Sequence, residues 1–292
     1  MATPSAVPVG PRIAVVTVSY GSEDVLPAFL GSLSAASAHR LLVIVADNKA
    51  DESLKPLVAE YGARHLPMPK NLGYGGAINA AVATLPESIQ WILVSNPDLV
   101  ISPGSVDVLE AAGEEDQRIG SVGPVTMTPD GQVYPSARTV PSLRTGVGHA
   151  LFANFWRGNP WTKAYRNDSS APPHRRDAGW LSGSCVLVRR SAFAEVGGFD
   201  PEFFMYFEDV DLGYRLGKHG YRNVYEPEAQ VTHTGAHSTT SDSHRMIAAH
   251  HESARRFLNK KYSGAALWPV RAALTIGLNV RSALMRRKGN HS

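Results

Sequence analysis

Short apolar runs alternate with amphipathic segments through the first hundred residues. Apolar runs predict buried strands over residues 12–18 and 41–45, a short strand over 65–68 and another strand over 91–94. Between them, apolar side chains recur every three or four positions and predict helices over 23–36, 54–61 and 73–85. The alternation predicts an α/β protein whose doubly wound sheet places its site at the carboxyl ends of the strands.

The second half of the chain has a less regular pattern. It predicts helices over 105–112 and 208–218, and a last helix from a cap at Ser241 or Asp242 to about Tyr262. Short strands are predicted over 120–125, 132–134, 181–189 and 229–233. Residues 135–178 show no sustained period, and so long a connection predicts a functional lid or an acceptor-binding loop.

Composition narrows the class of protein. The chain has 292 residues, of which 43% are hydrophobic and 19% charged, which excludes a disordered or fibrous protein. The length fits about two average domains, or one α/β body with a tail. One cysteine, Cys185, excludes a disulfide scaffold and a cysteine-based zinc site, and it fits a reducing compartment.

The net charge of +3 conceals an uneven distribution. From Arg245 onward the chain has ten Lys and Arg against the single acid Glu252, a net +9, whereas the first 244 residues have a net −6. This asymmetry predicts a mildly acidic body and a basic end that meets an anionic partner, either nucleic acid or a lipid surface.

Neither end of the chain predicts a targeting or spanning segment. The first twelve residues lack the charged region and apolar stretch of a signal peptide. The apolar run over 265–285 is interrupted by Arg271 and Arg281, which leave nine uncharged residues where a bilayer needs about 20. Two alternatives remain open: an interfacial helix on a membrane surface, or a helix packed on the body with solvated arginines.

Carboxylates follow the predicted strands and one aromatic run. Asp47 and Asp98 end two strands, and the pair Glu208–Asp209 follows the aromatic run at 203–207. Such carboxylates suit a nucleotide site, where one holds the base and another a cation. One within an aromatic wall would have a raised pKa, as a general base requires. For each carboxylate taken singly, the alternative interpretation is a helix cap or a surface salt bridge.

Several stretches together resemble a known family. They are VTVSY at 16–20, VADN at 45–48, NLGYGGAIN at 71–79, NPD at 96–98, GGFD at 197–200 and FMYFEDVDL at 204–212. In order and spacing they resemble the family 2 glycosyltransferases, over roughly residues 12–262. Further stretches at 134–138, 159–161 and 179–185 resemble the rhamnosyltransferases of actinobacterial cell-wall linker synthesis, which transfer L-rhamnose from dTDP-rhamnose to polyprenyl-diphosphate-linked N-acetylglucosamine.

The resemblance implies a GT-A fold, a nucleotide-binding sheet joined to a smaller acceptor-binding half. The implied domain spans 12–262, with a nucleotide-sugar half at 12–100 and an acceptor and catalytic half at 101–240. Residues 263–292 would form a basic amphipathic helical tail.

The resemblance also implies a donor site. Ser19 and Tyr20 would border the nucleotide, and Asp47 would accept a hydrogen bond from the thymine ring N–H. Asn71 and the glycines from Gly73 onward would let the backbone approach the diphosphate.

A metal site is implied by the same relatives. Asn96 stands where many of them have the first Asp of Asp-x-Asp, which leaves Asp98 as the main carboxylate on Mg²⁺ or Mn²⁺. His233 matches a histidine that completes the metal site in some relatives, and an imidazole ligand favours Mn²⁺. A hydrogen-bonded strand-end histidine is an equally open interpretation.

In the family, the general base is the Asp of a Glu-Asp pair. The resemblance therefore implies Asp209 as the base, with Glu208 as the alternative. It would take the acceptor hydroxyl proton during a single inverting displacement. Trp180, Gly183, Ser184 and Arg138 are implied acceptor contacts, and Trp161 and Tyr134 are further candidates for the acceptor or the sugar. Core packing is the alternative for the tryptophans.

The implied partners are a dTDP-sugar donor, a polyprenyl-diphosphate-linked sugar and an anionic membrane surface. They place the protein in the cytoplasm, peripheral on the inner face of the membrane. A negative body argues against nucleic acid, and a homodimer is left open. The alternatives are another donor or acceptor within the family, a sugar-1-phosphate nucleotidyltransferase, and a non-catalytic binding module.

Overall fold

The computed structural model describes residues 10–142, 173–235, 243–269 and 272. The first third of the chain alternates strand and helix, as the apolar pattern predicts. Its elements are β1 (Ile13–Ser19), α1 (Leu26–Ala36), β2 (Leu41–Asp47), α2 (Leu54–Glu60), β3 (Arg64–Pro67), α3 (Gly73–Val82) and β4 (Trp91–Ser95).

Beyond β4, the described part of the chain adds strands of 2 to 12 residues and four helices. The elements are β5 (Leu99–Ile101), α4 (Ser105–Glu114), β6 (Ile119–Met127), β7 (Val133–Tyr134), β8 (Ala137–Arg138), β9 (Arg176–Ala178), β10 (Trp180–Leu181), β11 (Cys185–Arg189), α5 (Arg190–Glu195), α6 (Glu208–Lys218), β12 (Arg222–His233) and α7 (Ser243–Lys261), followed by a short 3₁₀ turn, Ala265–Leu267.

One mixed sheet contains ten of these strands. Eight of them lie in the order β3-β2-β1-β4-β11-β6-β12-β5, with β7 against β6 and β9 against β12. The strands β3, β2, β1 and β4 are parallel, whereas β11 runs antiparallel between β4 and β6. The reversal at β11 brings the start of that strand to the carboxyl edge of the parallel part, where the sequence places the site.

Helices cover both faces of the sheet and bury its apolar side chains. All seven residues of β1 and all five of β4 are buried, as expected for central strands with helices on both sides. Two apolar clusters result: one surrounds Trp91 and Phe29 on one face, and the other surrounds Ile78 and Phe199 on the opposite face.

Several elements differ from the sequence prediction. β5 and α5 are absent from it, and β12 begins at Arg222 rather than after Pro227. The pairing of β12 with β6 shifts register between Glu226 and Gln230, so the strand passes the proline through an irregularity. Residues 135–178 are not one continuous loop, because their ends form β8 and β9; residues 143–172 lie outside the described part.

Helix α7 changes the interpretation of the basic end. Four of the ten basic residues counted from Arg245 make contacts within the protein: Arg255 pairs with Glu252, Arg256 with Glu202, Lys260 with Asp200 and Asp211, and Lys261 donates to the Pro141 carbonyl. Arg256, Lys260 and Lys261 bind the helix to the body, whereas the Arg255 pair lies within α7. The charge left for an outside partner is therefore smaller than the sequence count suggests.

Most of the predicted tail, residues 263–292, lies outside the described residues, as do the proposed caps Ser241 and Asp242. Among the helices that are described, none combines the length and apolar character needed to cross a bilayer.

Candidate active site

The carboxyl edge of the parallel strands gathers several residues singled out from the sequence. Ser19 ends β1 opposite Asp47 at the end of β2. Asn96 follows β4, and its N–H donates to the Ser184 carbonyl at 2.8 Å. Tyr20, the next residue after β1, is 64% exposed at this edge. The fold therefore places the implied nucleotide residues on one edge, next to the segment implied for the acceptor.

Asp47 is almost fully enclosed, at 1% exposed. Its two oxygens accept from the backbone N–H groups of Lys49 and Asp51 at 2.9 and 2.8 Å, and Nε2 of His65 lies 3.1 Å away. These contacts shape the loop after β2. The thymine-binding role of Asp47 stays a prediction, and His65, which the sequence analysis did not single out, is its side-chain partner.

The glycine-rich segment is held by two asparagines. Asn71 accepts from the Gly73 N–H at 2.9 Å. Asn48 donates to the Gly73 carbonyl at 3.0 Å and accepts from the Leu72 N–H at 3.1 Å. Gly73 has φ +74°, and a Cβ there would lie 2.3 Å from the Phe204 carbonyl oxygen. Glycine at this position therefore permits direct contact between the start of α3 and the aromatic run.

A second asparagine contact joins α3 to the GGFD motif. Asn79 donates to the Phe199 carbonyl at 2.7 Å and accepts from the Phe199 N–H at 2.9 Å. A Cβ on Gly198, with φ +72°, would lie 2.6 Å from the Asn79 side chain. The stretches at 71–79 and 197–200, which both carry the family resemblance, therefore contact each other directly.

Asp98 and His233 meet although 135 residues separate them. The pairing of β12 with β5 sets His233 opposite Leu99, and Nε2 of His233 lies 2.9 Å from Oδ2 of Asp98. This hydrogen bond raises the pKa of His233. The other oxygen of Asp98, Oδ1, is buried without a hydrogen-bond partner.

These two side chains fit a cation with few protein ligands. An orphaned carboxylate oxygen and an imidazole are donor types that suit Mn²⁺. Within the described residues no group of three or more His, Cys, Asp and Glu side chains could hold a metal ion. A metal at Asp98 and His233 would therefore need further oxygens from a bound diphosphate.

The Glu208–Asp209 pair begins helix α6, directly after a strained turn. Tyr206 and Phe207 both have positive φ, +66° and +64°, which is costly for aromatic residues. Glu208 is 8% exposed, and its Oε2 has no hydrogen-bond partner. Burial, and then the charge of Asp209, raise the pKa of Glu208 to about 8, which confirms the desolvated carboxylate expected behind an aromatic run.

Asp209 is held by backbone donors. Its Oδ2 accepts from the Gly183 N–H at 2.9 Å, and its Oδ1 from the Val210 N–H at 2.8 Å. Burial raises the pKa of Asp209, whereas these two donors act in the opposite direction. The implied base thus lies in contact with Gly183, which the sequence analysis placed in the acceptor segment.

The other implied acceptor residues form a neighbouring cluster. The Arg138 guanidinium lies 5.7 Å from the Trp180 ring centre and 5.8 Å from that of Tyr134, within cation–π range. Trp180 Nε1 donates to the Thr139 carbonyl, and the backbone of Trp180 packs on Gly213 of α6. Ser184 shares a hydrogen bond of 3.0 Å with Ser182. Trp161 lies outside the described residues.

Helix α7 supports the aromatic run from behind, a role the sequence did not reveal. Ser253 donates to the Met205 carbonyl at 2.8 Å, and His250 contacts the rings of Tyr206 and Phe207. Lys260 lies 2.8 Å from Oδ1 of Asp211, a fully buried carboxylate that also pairs with Arg215 at 2.6 Å. Asp211 lies in the first turn of α6, as expected, and in addition anchors α7.

Comparison with known proteins gives consistent matches. A family model described as glycosyltransferase like family 2 matches residues 11–250. The N-acetylglucosaminyl-diphospho-decaprenol L-rhamnosyltransferase of Mycobacterium tuberculosis H37Rv is 47% identical, covering 94% of this chain and 92% of the relative. Rhamnosyltransferase WbbL of Escherichia coli K12 is 28% identical, over 85% of this chain and 92% of the relative.

Solved structures share the fold at low sequence identity. The mannosyltransferase PcManGT from Pyrobaculum calidifontis, solved with GDP-Man and Mn²⁺, has a TM-score of 0.58 at 14% identity and covers 96% of this chain and 80% of its own. Staphylococcus aureus TarS 1–349 has a TM-score of 0.54 at 15% identity, covering 87% and 73%. The GT-A fold expected from the motifs is thereby confirmed. With its family motifs assembled around one edge of the sheet, the chain belongs to the family 2 glycosyltransferases and is a glycosyltransferase enzyme.

Proposed function

We propose that this enzyme transfers L-rhamnose from dTDP-L-rhamnose to N-acetylglucosaminyl-diphospho-polyprenol. The observation that carries the proposal is the 47% identity, over nearly the full length of both chains, to a transferase named for that sugar and that lipid class. The geometry supports it, because a buried carboxylate pair lies between a glycine-rich segment and an Arg–Trp cluster.

The donor nucleotide would lie along the carboxyl edge. Ser19, Tyr20 and Asp47 would border the base and ribose, and Asn96 the diphosphate side. The backbone from Asn71 to Gly73, held by Asn48, would approach the diphosphate.

A divalent cation would bind at Asp98 and His233 and complete its ligands with diphosphate oxygens. When bound, Mn²⁺ or Mg²⁺ offsets negative charge on the leaving diphosphate. The buried, unpartnered Oδ1 of Asp98 supports this site. PcManGT, which shares the fold, was solved with Mn²⁺.

Asp209 would act as the general base. It would take the proton of the acceptor hydroxyl while that oxygen forms a bond to the anomeric carbon and the bond from this carbon to dTDP breaks. A single displacement inverts the anomeric configuration, and dTDP leaves without needing a proton. Two backbone N–H groups donate to Asp209 and favour its ionised form, although burial raises its pKa, whereas Oε2 of Glu208 has no donor that would stabilise its charge.

The acceptor would enter from the side of Trp180 and Arg138. An aromatic face packs on sugar C–H surfaces, and a guanidinium matches diphosphate oxygens. Gly183 and Ser184 would border the reacting hydroxyl. We further propose that the enzyme is cytoplasmic and peripheral on an anionic leaflet, with the basic residues beyond α7 providing attraction of about 1 kcal/mol each.

A donor panel tests the proposal. Purified enzyme, Mn²⁺ and N-acetylglucosaminyl-diphospho-prenol are incubated with dTDP-L-rhamnose, dTDP-glucose, GDP-mannose or UDP-galactose, and release of nucleoside diphosphate is measured. We expect acceptor-dependent release with dTDP-L-rhamnose that exceeds the others by at least tenfold. Equal or greater release with another donor would contradict the assignment of the sugar.

The base assignment is tested by two isosteric variants. Asp209→Asn is expected to lower kcat by at least a thousandfold while the Kd for dTDP changes by less than about threefold, because the lost carboxylate acts on the acceptor proton. Glu208→Gln is expected to keep measurable turnover. A larger loss in Glu208→Gln than in Asp209→Asn would make Glu208 the base.

A further inference from the structure

Tyr74 lies where the donor segment and the catalytic pair approach each other. Its hydroxyl donates to the Gly183 carbonyl at 2.7 Å, across 109 residues of sequence. The N–H of the same residue, Gly183, donates to Oδ2 of Asp209 at 2.9 Å. One glycine therefore connects a side chain of α3 to the carboxylate at the start of α6.

The contact is close around Gly183, so a larger residue there would require Asp209 to shift by a few tenths of an ångström. A Cβ on Gly183 would lie 3.2 Å from Cβ of Asp209, 3.6 Å from its Oδ2 and 3.6 Å from Cε1 of Tyr74. The tyrosine ring is itself fixed, edge-on to Phe199 with the ring centres 6.5 Å apart, and the Tyr74 N–H donates to the Phe204 carbonyl at 3.2 Å. These contacts and the hydroxyl bond hold the Tyr74 side chain against Gly183.

We propose that Tyr74 is a positioning residue for the base: through the Gly183 backbone it orients the N–H that holds Asp209 and ties that carboxylate to the donor-binding segment. The inference rests on the proposed role of Asp209 in the transfer. Tyr74 contributes a neutral hydroxyl, since burial and the nearby carboxylates hold its pKa well above the usual value.

Among the residues that the structure describes, the charged and titratable groups that act on Asp209 and Tyr74 lie on several elements. Glu208 precedes it on α6, and Arg138 on β8 acts on it from the acceptor side. Asp98 and Cys185 act on Tyr74 from the sheet edge, and the thiol is neutral because burial raises its pKa to about 12. Removing the tyrosine hydroxyl therefore changes hydrogen bonding at Gly183 without changing the charge of the site.

Tyr74→Phe removes the hydroxyl and keeps the ring. We expect kcat to fall roughly tenfold with the KM for the donor within about twofold, the scale of one lost hydrogen bond. In an Asp209→Asn background the same change is expected to have no further effect on the residual rate. Tyr221→Phe is the matched control, because its hydroxyl bonds to Glu195 at the protein surface.

A second readout does not depend on the substrate. In ¹⁵N-glycine-labelled enzyme, the Gly183 amide resonance, identified by its altered titration in Asp209→Asn, reports ionisation of the carboxylate that it donates to. In Tyr74→Phe we expect a smaller titration and a higher midpoint, because a displaced N–H no longer favours the ionised form. Tyr221→Phe should titrate like the wild type.

The outcomes separate the two proposals. An unchanged Gly183 titration in Tyr74→Phe, or additive losses of rate in the double variant, would overturn the role of Tyr74. An altered titration in an enzyme that does not use dTDP-L-rhamnose would contradict only the proposed donor.

Discussion

Replacement of Gly73 by alanine tests whether the glycine-rich segment and the aromatic run form one unit. An alanine at φ +74° pays a backbone penalty of about 1–2 kcal/mol. Its Cβ would also lie 2.3 Å from the Phe204 carbonyl oxygen, so the backbone must separate. Overpacking of this kind costs about 1–3 kcal/mol, and the bond from the Tyr74 N–H to the same carbonyl, worth about 1 kcal/mol, would be lost.

Gly62→Ala provides the matched control. Gly62 has φ +65°, and a Cβ there would meet nothing within 4 Å. This variant therefore loses only the stability that the backbone conformation costs an alanine. We expect Gly73→Ala to be about 2–4 kcal/mol less stable than Gly62→Ala.

Denaturant unfolding and a thermal melt measure that difference. At about 2–4 °C per kcal/mol for a chain of this size, the Tm of Gly73→Ala should lie roughly 5–15 °C below that of the control. Its rate of sugar transfer should also fall, because Phe204 belongs to the aromatic run at 203–207, which leads directly into Glu208. Equal stability of the two variants would refute the reasoning, since the contact with Phe204 would then carry no energy.

Four further perturbations have defined outcomes. Because the folded-state pKa of Glu208 is raised from 4.5 to about 8, its stabilising contribution is complete below pH about 4.5 and is lost as pH rises through about 8. Glu208→Gln should therefore flatten the fall in Tm over this pH window. Parallel curves of Tm against pH for the variant and the wild type would contradict the raised pKa. EDTA should stop sugar transfer, and added Mn²⁺ should restore it. Asp98→Asn should raise the Mn²⁺ concentration required for transfer at least tenfold. Undiminished activity in EDTA would contradict the metal role of Asp98. Lys260→Met leaves the buried carboxylate of Asp211 with one fewer partner and should lower the free energy of unfolding in urea by about 2 kcal/mol. The control Arg255→Met, at an exposed pair, should lower it by less than about 0.5 kcal/mol. Equal losses in the two variants would contradict the anchoring of α7. Deletion of 263–292 should weaken sedimentation with anionic liposomes but not with neutral ones, and unchanged binding would refute the tail proposal.

The elements that the sequence predicts well are those whose burial is periodic. β1, β2 and β4 are apolar along their length because helices cover both faces, and parallel strands end at one edge, so Ser19, Asp47 and Asn96 could be grouped before the fold was known. The family resemblance supplied the GT-A fold.

Contacts over long sequence distances could not be predicted in the same way. The approach of Asp209 to Gly183 depends on the antiparallel start of β11, and β5 and β9 are strands of three residues that exist only through pairing with β12. No local pattern encodes such pairing.

Charge counting had a similar limit. A sum over residues distinguishes basic from acidic segments but does not show which cations have partners. Lys260 and Arg256 contribute to the +9 of the basic end, yet both are paired with carboxylates of the segment from 200 to 211. Only the packing of α7 against the aromatic run shows that this helix belongs with the active site.

The central claim is the transfer of rhamnose to the lipid-linked acceptor by a single displacement. The most direct test is to isolate the lipid product formed from dTDP-L-rhamnose and N-acetylglucosaminyl-diphospho-prenol and to determine its mass and its anomeric configuration by NMR. We predict one added rhamnose whose configuration is opposite to that in the donor. A product without rhamnose, or one that keeps the donor's configuration, would contradict the account.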